Sequence, residues 1–152
     1  MARLTVKLDV DDLALRQRVL EWQNQVARAT GPAVQAAAIS LLQEVIVANP
    51  VDTGRSRSAW VAALNDLGGT APGGWQGPHP DASALSEGAS LGGAELVTGT
   101  GSAEVTLTNA VDYIGLLEYG GGGRPPRHMV RQHLAGALQD LAQRLLRNTL
   151  PV

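Results

Sequence analysis

Hydrophobic and polar residues alternate over the first ten positions of the chain. Four apolar residues occupy every second position and are separated by polar or charged ones: Leu4, Val6, Leu8 and Val10. This period of two predicts a short opening strand with one buried face. The alternation also leaves no uninterrupted apolar stretch of the length that a cleaved signal peptide has. We therefore expect a protein that is made in the cytoplasm and is not secreted.

Helical spacing of apolar residues follows from Asp11 or Asp12, either of which can cap a helix start. The apolar residues that recur there are Leu13, Val19, Leu20, Val26 and Ala27. Gly31 and Pro32 are expected to break or kink this helix, because proline has no backbone N–H to donate.

A second helical stretch is predicted to follow and to stop near Asn49 and Pro50. Its apolar residues are Val34, Ala38, Leu41, Leu42 and Val45. Polar residues interrupt the segment 33–48, which indicates a helix packed in the protein and not a membrane span.

The segment 68–93 contains eight glycines and three prolines and has no sustained periodicity. This composition predicts a long loop, which is either functional or a flexible insertion without a role. Trp75 lies inside it and favours the first reading, because an exposed indole often marks a contact made in an assembly.

Two strands are predicted at 96–98 and 103–108, with a turn between them, and a short apolar segment at 111–119 follows. Pro125 and Pro126 are expected to begin a final helix with a strong apolar stripe. The pattern thus predicts one α+β domain over residues 1–152. In it, a small antiparallel sheet packs against a long N-terminal helix and a C-terminal helix, with a long Gly/Pro-rich loop.

The composition predicts a thin core. Of 152 residues, 44% are hydrophobic, but only 3% are aromatic, 22 are alanine and none is phenylalanine. Such a length suits a single core. Because alanine buries little apolar area, we expect contacts between subunits to supply part of the stability.

Charge is unevenly spread along the chain, although the formal net charge is only -2. Residues 1–54 carry five basic and six acidic groups, 55–119 carry two and seven, and 120–152 carry five and one. The difference either reflects solvated faces of unlike sign or an acidic face of one subunit that meets a basic face of the next in a head-to-tail ring.

Motifs for catalysis are weak. The absence of cysteine excludes disulfides, thiol nucleophiles and thiolate zinc sites. Asp52, Thr53 and Gly54 match the signature of aspartic proteases, but no apolar strand leads into them. We instead expect a structural turn, in which Asp52 accepts backbone hydrogen bonds and Gly54 has positive φ.

Other chemistry is equally poorly indicated. His128 and His133 are five residues apart, whereas metal ligands on one helix face are three or four apart. The glycines at 120–123 lack the Lys-Ser or Lys-Thr of a phosphate-binding loop. We expect no catalytic, cofactor or metal site, and hence no enzyme.

Positive charge is concentrated where the terminal helix is predicted to start. Arg127, His128 and Arg131 would lie in its first turns, where the helix dipole disfavours cations. Solvent, an acidic neighbouring subunit or DNA phosphate would compensate them.

Three stretches in a fixed order resemble the neck and tail-completion family of tailed bacteriophages. They are NPVDTGRSRSAW at 49–60, TNAVDYIGLLEYG at 108–120 and RPPRHMV at 124–130. The resemblance covers most of the chain except the Gly-rich segment. It departs from the family pattern at Ser56 and Arg57 and in the length of the segment 68–93.

The resemblance implies a structural protein of the virion, made in the host cytoplasm. It would form a sixfold or twelvefold ring at the head-tail junction. A portal, adaptor or head-closure protein would lie on one side and a tail terminator or tail tube protein on the other, with genomic DNA passing through and no membrane involved. A tail terminator or head-closure ring is the close alternative, and a DNA-binding or packaging accessory module is the alternative of another class.

The resemblance, together with the charge distribution and the position of Trp75 in the predicted loop, suggests roles for individual residues. The structural turn comprises Asp52, Thr53 and Gly54, and the core anchors are Trp60, Tyr113 and Tyr119. Tyr113, Glu118 and Tyr119 would fix the short apolar segment. Candidates for subunit or partner contacts are Arg55, Arg57, Trp75, Glu118, Arg124, Arg127 and Arg131, of which four arginines (55, 57, 127 and 131) would pair with the acidic middle segment.

Overall fold

The computed structural model describes residues 12–149 and has an α+β fold. Five helices and a two-stranded antiparallel sheet follow one another as α1 Asp12–Ala48, α2 Arg55–Asp66, α3 Ala82–Ser90, β1 Gly92–Gly99, β2 Ser102–Asn109, α4 Ile114–Tyr119 and α5 Met129–Thr149. The long N-terminal helix, the small antiparallel sheet and the C-terminal helix agree with the predicted fold class. The opening strand predicted at residues 4–10 lies outside the described residues.

Helix α1 runs through Gly31 and Pro32 as one helix of 37 residues, so the predicted break is wrong. Pro32 is exposed, so its ring does not have to be packed inside the core. The helix continues although the proline cannot donate a hydrogen bond to the Arg28 carbonyl. Gly31 is buried beside the hairpin, and a Cβ atom there would come within 3.0 Å of the Thr98 Cγ2 atom. The glycine therefore permits a close approach of helix and sheet.

The core lies between the second half of α1 and the elements that cover it. Its largest fully buried side chains include Leu42, Ile46, Leu64 and Met129, which come from α1, α2 and α5. By length and composition α1 could cross a membrane, a test that core helices of soluble proteins also pass. In its most apolar stretch, 44% of the residues are buried inside the protein.

Helices α2 and α3 have no counterpart in the predicted outline. Helix α3 lies within the segment predicted as a loop, and Gly92 and Gly93 already belong to β1. The Asp81 side chain caps α3, where its Oδ1 atom accepts from the Ala84 N–H at 2.7 Å. The predicted loop is thus confined to about the first half of 68–93, because a capped helix forms despite the high glycine content.

The two predicted strands are confirmed and are longer than expected. Leu96 pairs with Val105 and Ala94 with Leu107, and these four side chains are half-buried against the core. Gly101, with φ of 74°, lies in the turn. The hairpin therefore covers α1 and α2 with one apolar face.

Helix α5 begins at Met129 and not at Pro125. The residues before it bind α4 instead, since the Arg127 N–H donates to the Leu117 carbonyl at 2.8 Å and the His128 N–H to the Glu118 carbonyl at 3.1 Å. Backbone bonds to α4 hold Arg127 and His128 outside the helix, so only Arg131 lies in its first turn.

Candidate assembly site

Three separate stretches of the sequence come together in the folded chain. The residues at 49–60, 108–120 and 124–130, here called the motif cluster, are joined by hydrogen bonds. The Asn109 side chain donates to the Ser56 carbonyl at 3.0 Å, and the segment before α5 binds the carbonyls of α4. The cluster is thus one packed unit.

Arg55 joins two stretches of the motif cluster to each other and to α3 through its side chain. Its guanidinium lies 2.6 Å from the Glu87 carboxylate and 3.2 Å from that of Asp112. It also lies 5.8 Å from the centre of the Tyr113 ring, within the range of a cation–π contact. Both carboxylates belong to the acidic middle segment, so Arg55 pairs with it inside one chain and not across a subunit boundary as expected.

Arg57 binds backbone carbonyls near the C-terminal end of α1. Its Nε atom donates to the Asn49 carbonyl at 2.6 Å, and its terminal nitrogens donate to those of Val47 at 3.2 Å and Trp75 at 3.3 Å. Burial lowers the pKa of the Arg57 guanidinium, because it removes water from the charged form. Arg57 therefore fastens α1 to the loop around Trp75, and its expected intersubunit role has no support in these contacts.

Asn49 is fully buried. Among the largest fully buried side chains of residues 12–149, it is the one that is polar. It exchanges hydrogen bonds with the Ser56 hydroxyl, at 3.1 Å when the amide donates and 3.3 Å when its oxygen accepts. The Asn49–Ser56 pair was not predicted from the sequence. The one signal for it was a polar residue, Asn49, between an apolar helix and a proline.

The turn before α2 is shaped by its glycine. Gly54 has φ of 87°, as predicted, and is buried. Thr53 accepts a hydrogen bond at its carbonyl from the Asp81 N–H at 3.2 Å. Asp52 is exposed, and among the described residues it has no hydrogen bond, so it does not close the turn as expected.

Glu118 caps the start of α5. It is only 7% exposed, and its two carboxylate oxygens accept from the N–H groups of Val130 and Arg131, each at 3.0 Å. A carboxylate at a helix N-terminus satisfies free N–H groups and complements the dipole. Glu118 thus supplies, from the same chain, the compensating anion expected for this helix, and it is not available as a surface contact.

The aromatic residues differ in burial. Trp60 is 7% exposed and belongs to the core, whereas Tyr119 is 74% exposed, so the prediction of Tyr119 as a core anchor is wrong. Tyr113 is half-buried at the surface beside Arg55. Trp75 is half-buried and packs against the core of its own chain. Its predicted contact with a partner assumed an exposed indole, and the indole is not fully exposed.

An apolar cleft of about 510 Å³ opens between α4 and the start of α5. We call it the α4–α5 cleft. Six of its lining residues are Trp60, Ile114, Tyr119, Met129, Arg131 and Leu134. The Trp60 indole N–H has no acceptor among the described residues. The side chains of Arg124, Arg127 and Arg131, by contrast, are exposed, and Arg131 lines the cleft, which therefore combines an apolar recess with a positive charge.

Residues 12–149 contain no group of three or more His, Asp or Glu side chains that could hold a metal ion. His133 lies on α5 with its Nδ1 atom 3.8 Å from the Glu44 carboxylate of α1. When compared with known proteins, the chain matches no family model, no curated sequence and no solved structure.

Proposed function

We propose that this protein is a non-enzymatic structural component of a phage virion, which forms a ring at the junction of head and tail. The observation that carries the proposal is the motif cluster. Of the stretches that resemble the neck and tail-completion family, the one at 49–60 lies far in the sequence from the neighbouring pair at 108–120 and 124–130. The three nevertheless pack on one another through Asn109, Arg55 and the backbone before α5. Their contacts in space are consistent with one structural unit of the kind that the resemblance implies.

The proposed ring is homo-oligomeric, sixfold or twelvefold, and continues the DNA channel. A portal, adaptor or head-closure protein binds one side, and a tail terminator or tail tube protein binds the other. Several large apolar side chains remain exposed, among them Leu20, Trp22, Leu116 and Tyr119, and the proposed assembly would cover such groups.

Purified virions from the phage that encodes this chain provide the test. We expect the protein in intact particles and, in gold-labelled negative-stain images, at the neck. A phage without the gene should yield filled heads and separate tails that the wild-type gene restores to joined particles. Absence of the protein from purified virions would refute the proposal.

A DNA-binding accessory module is the second candidate, because Arg124, Arg127 and Arg131 are exposed and lie near one another in the sequence. Duplex DNA binding that falls with salt and is weakened by Arg127→Ala and Arg131→Ala, in a protein absent from virions, would favour this module over the ring.

A further inference from the structure

The outer face of the hairpin carries two negative charges around one exposed apolar side chain. Glu104 pairs with Val97 in the ladder, and Glu95 lies two residues before Val97 in β1, so all three side chains point to the same face of the sheet. All three are exposed, Val97 to 58%. We call Glu95, Val97 and Glu104 the hairpin patch.

Nothing in the hairpin compensates the charge of this patch. Residues 92–109 contain two glutamates and no lysine, arginine or histidine. Glu95 and Glu104 are diagonal neighbours in the ladder, which places them about 7–8 Å apart, and neither forms an ion pair among residues 12–149. A cationic surface of another molecule would therefore stabilise both carboxylates at once.

A second cleft, of about 330 Å³, lies beside α4 and has the opposite charge. Arg124 and Arg127 line it together with apolar and aromatic residues, among them Pro50, Tyr113, Leu116 and Leu117. We call it the arginine cleft. No carboxylate of the described residues lines it, and Asp112, which precedes Tyr113, is already paired with Arg55. Leu116 is 48% exposed, so the apolar lining of the cleft is accessible.

Backbone hydrogen bonds hold the two arginines at the arginine cleft. The Gly121 N–H donates to the Arg124 carbonyl at 3.1 Å, and the Arg124 N–H donates to the Gly121 carbonyl at 3.0 Å. Gly122 and Gly123 form the tight turn between them, with φ of 56° and 79°. The Arg127 N–H is fixed to α4. Because this backbone is already ordered, binding of a partner costs less conformational freedom.

We propose that the hairpin patch of one subunit docks in the arginine cleft of a second copy of this chain. An apolar side chain between two carboxylates then meets an apolar cleft with two guanidinium groups, so that polarity and charge are both complementary. The inference rests on the ring proposed above and names the contact between neighbouring subunits. Patch and cleft are different surfaces, so the contact is head-to-tail, and its repetition gives a ring when the rotation closes.

A second copy satisfies more of these groups than DNA does. Neither Arg124 nor Arg127 forms an ion pair among residues 12–149, and DNA phosphates would also neutralise them. DNA would leave Glu95 and Glu104 uncompensated, however, and its phosphates offer no apolar group to the lining of the cleft. The hairpin patch supplies both the negative charges and the apolar side chain.

An exchange of charges between two variants of the full chain tests the docking. The cleft variant carries Arg124→Glu and Arg127→Glu, and the patch variant carries Glu95→Arg and Glu104→Arg. At low ionic strength we expect each variant alone to self-associate about tenfold more weakly than the wild type or worse, because like charges then face each other. An equimolar mixture of the two should regain association, since each patch again meets a cleft of opposite charge. Light scattering measures all three samples.

Arg18→Glu with Arg28→Glu is the matched control. Both arginines are exposed and have no ion pair among residues 12–149, and the double change alters the net charge as much as the cleft variant does. We expect it to leave self-association unchanged. Circular dichroism in dilute solution, where the copies are apart, checks that every variant is folded.

Four results would overturn the docking. The mixture associates no better than the separate variants, or the control weakens association as much as the cleft variant does. The wild-type chain stays monomeric up to about 1 mM. Finally, the cleft variant self-associates normally but loses salt-dependent binding of duplex DNA, which would assign the arginines to the DNA-binding module.

The docking and the proposed function can fail separately. Association that is restored by the charge exchange, in a protein absent from virions, would refute the proposed function and leave the docking intact. A protein that is found in virions, and whose cleft variant is incorporated as efficiently as the wild type, would refute the docking and leave the proposed function intact.

Discussion

Glu118, Arg55 and Arg57 bind atoms of their own chain, although their charges suggested contacts with partners. Each is partly or fully removed from water, and a charge in that position is costly unless hydrogen bonds or an opposite charge replace the solvent. Glu118 meets two backbone N–H groups, Arg57 meets three carbonyls and Arg55 meets two carboxylates. Charged residues within a motif thus maintain its shape, while the exposed arginines at 124, 127 and 131 remain available for partners.

Replacement of Glu118 by alanine should destabilise the protein by about 2–3 kcal/mol, because the N–H groups of Val130 and Arg131 lose their acceptor in a largely buried position. Urea unfolding followed by circular dichroism measures the change. Glu104→Ala serves as control, since Glu104 is exposed and has no hydrogen bond or ion pair among the described residues. We expect that control to change stability by less than about 0.5 kcal/mol. Equal stability of the two variants would contradict the capping role.

Regular periodicity made some elements predictable and left others hidden. Helix α1, the hairpin and most of α5 follow from apolar spacing, because one face of each is buried. Helix α3 was missed since its nine residues lie in a glycine-rich segment, where local composition favours a loop. Its capping residue, Asp81 directly after Pro80, was the one local signal of a helix start.

The start of α5 was misplaced for a tertiary reason. Two prolines favour the first turn of a helix, but the N–H groups of Arg127 and His128 donate to carbonyls of α4. Those contacts join residues about ten positions apart and cannot be read from local spacing. The same limit applies to the candidate site, where the motif stretches were identified from the sequence but the in-chain partners of Arg55, Arg57 and Glu118 were not.

Two glycines within helices should respond oppositely to alanine. A Cβ atom at Gly88 of α3 would overlap the Arg55 carbonyl of α2, whereas a Cβ atom at Gly136 of α5 has no neighbour within 4 Å. We expect Gly88→Ala to cost about 2 kcal/mol or more, because the helices must separate. Gly136→Ala should stabilise by about 0.5–1 kcal/mol through helix propensity. Thermal unfolding of the two variants beside the wild type checks both signs, and destabilisation by Gly136→Ala would refute the open site.

The core contains many small residues and few aromatic ones, as the composition predicted. Small residues let elements approach closely, as at Ala37, Ala38, Ala59 and Ala63, and only one of the five aromatic residues, Trp60, is buried. Large apolar groups such as Leu20 and Trp22 remain outside. We therefore expect stability to increase on assembly, because binding to the folded state alone shifts the unfolding equilibrium.

Reversal of Arg127 and Arg131 to glutamate tests whether these exposed arginines at the start of α5 mediate assembly. Both side chains are exposed, so the double variant should fold as the wild type does. It should fail to enter virions, because like charges would then face an acidic neighbour. Quantitative mass spectrometry of purified particles measures incorporation, and near-ultraviolet circular dichroism checks the fold. Normal incorporation of the folded variant would refute the charge pairing, though not the family resemblance.

The packing of α5 against α1 has a consequence for synthesis. Met129 is fully buried in the same core as Leu42 and Ile46, which precede it by more than eighty residues. A core that joins residues so far apart in the chain forms only after the distant contact is available. The nascent polypeptide therefore cannot complete this core until α5 has left the ribosome. Glu118 likewise caps α5 only once that helix is present, so productive assembly requires chains in which α5 has already been synthesised.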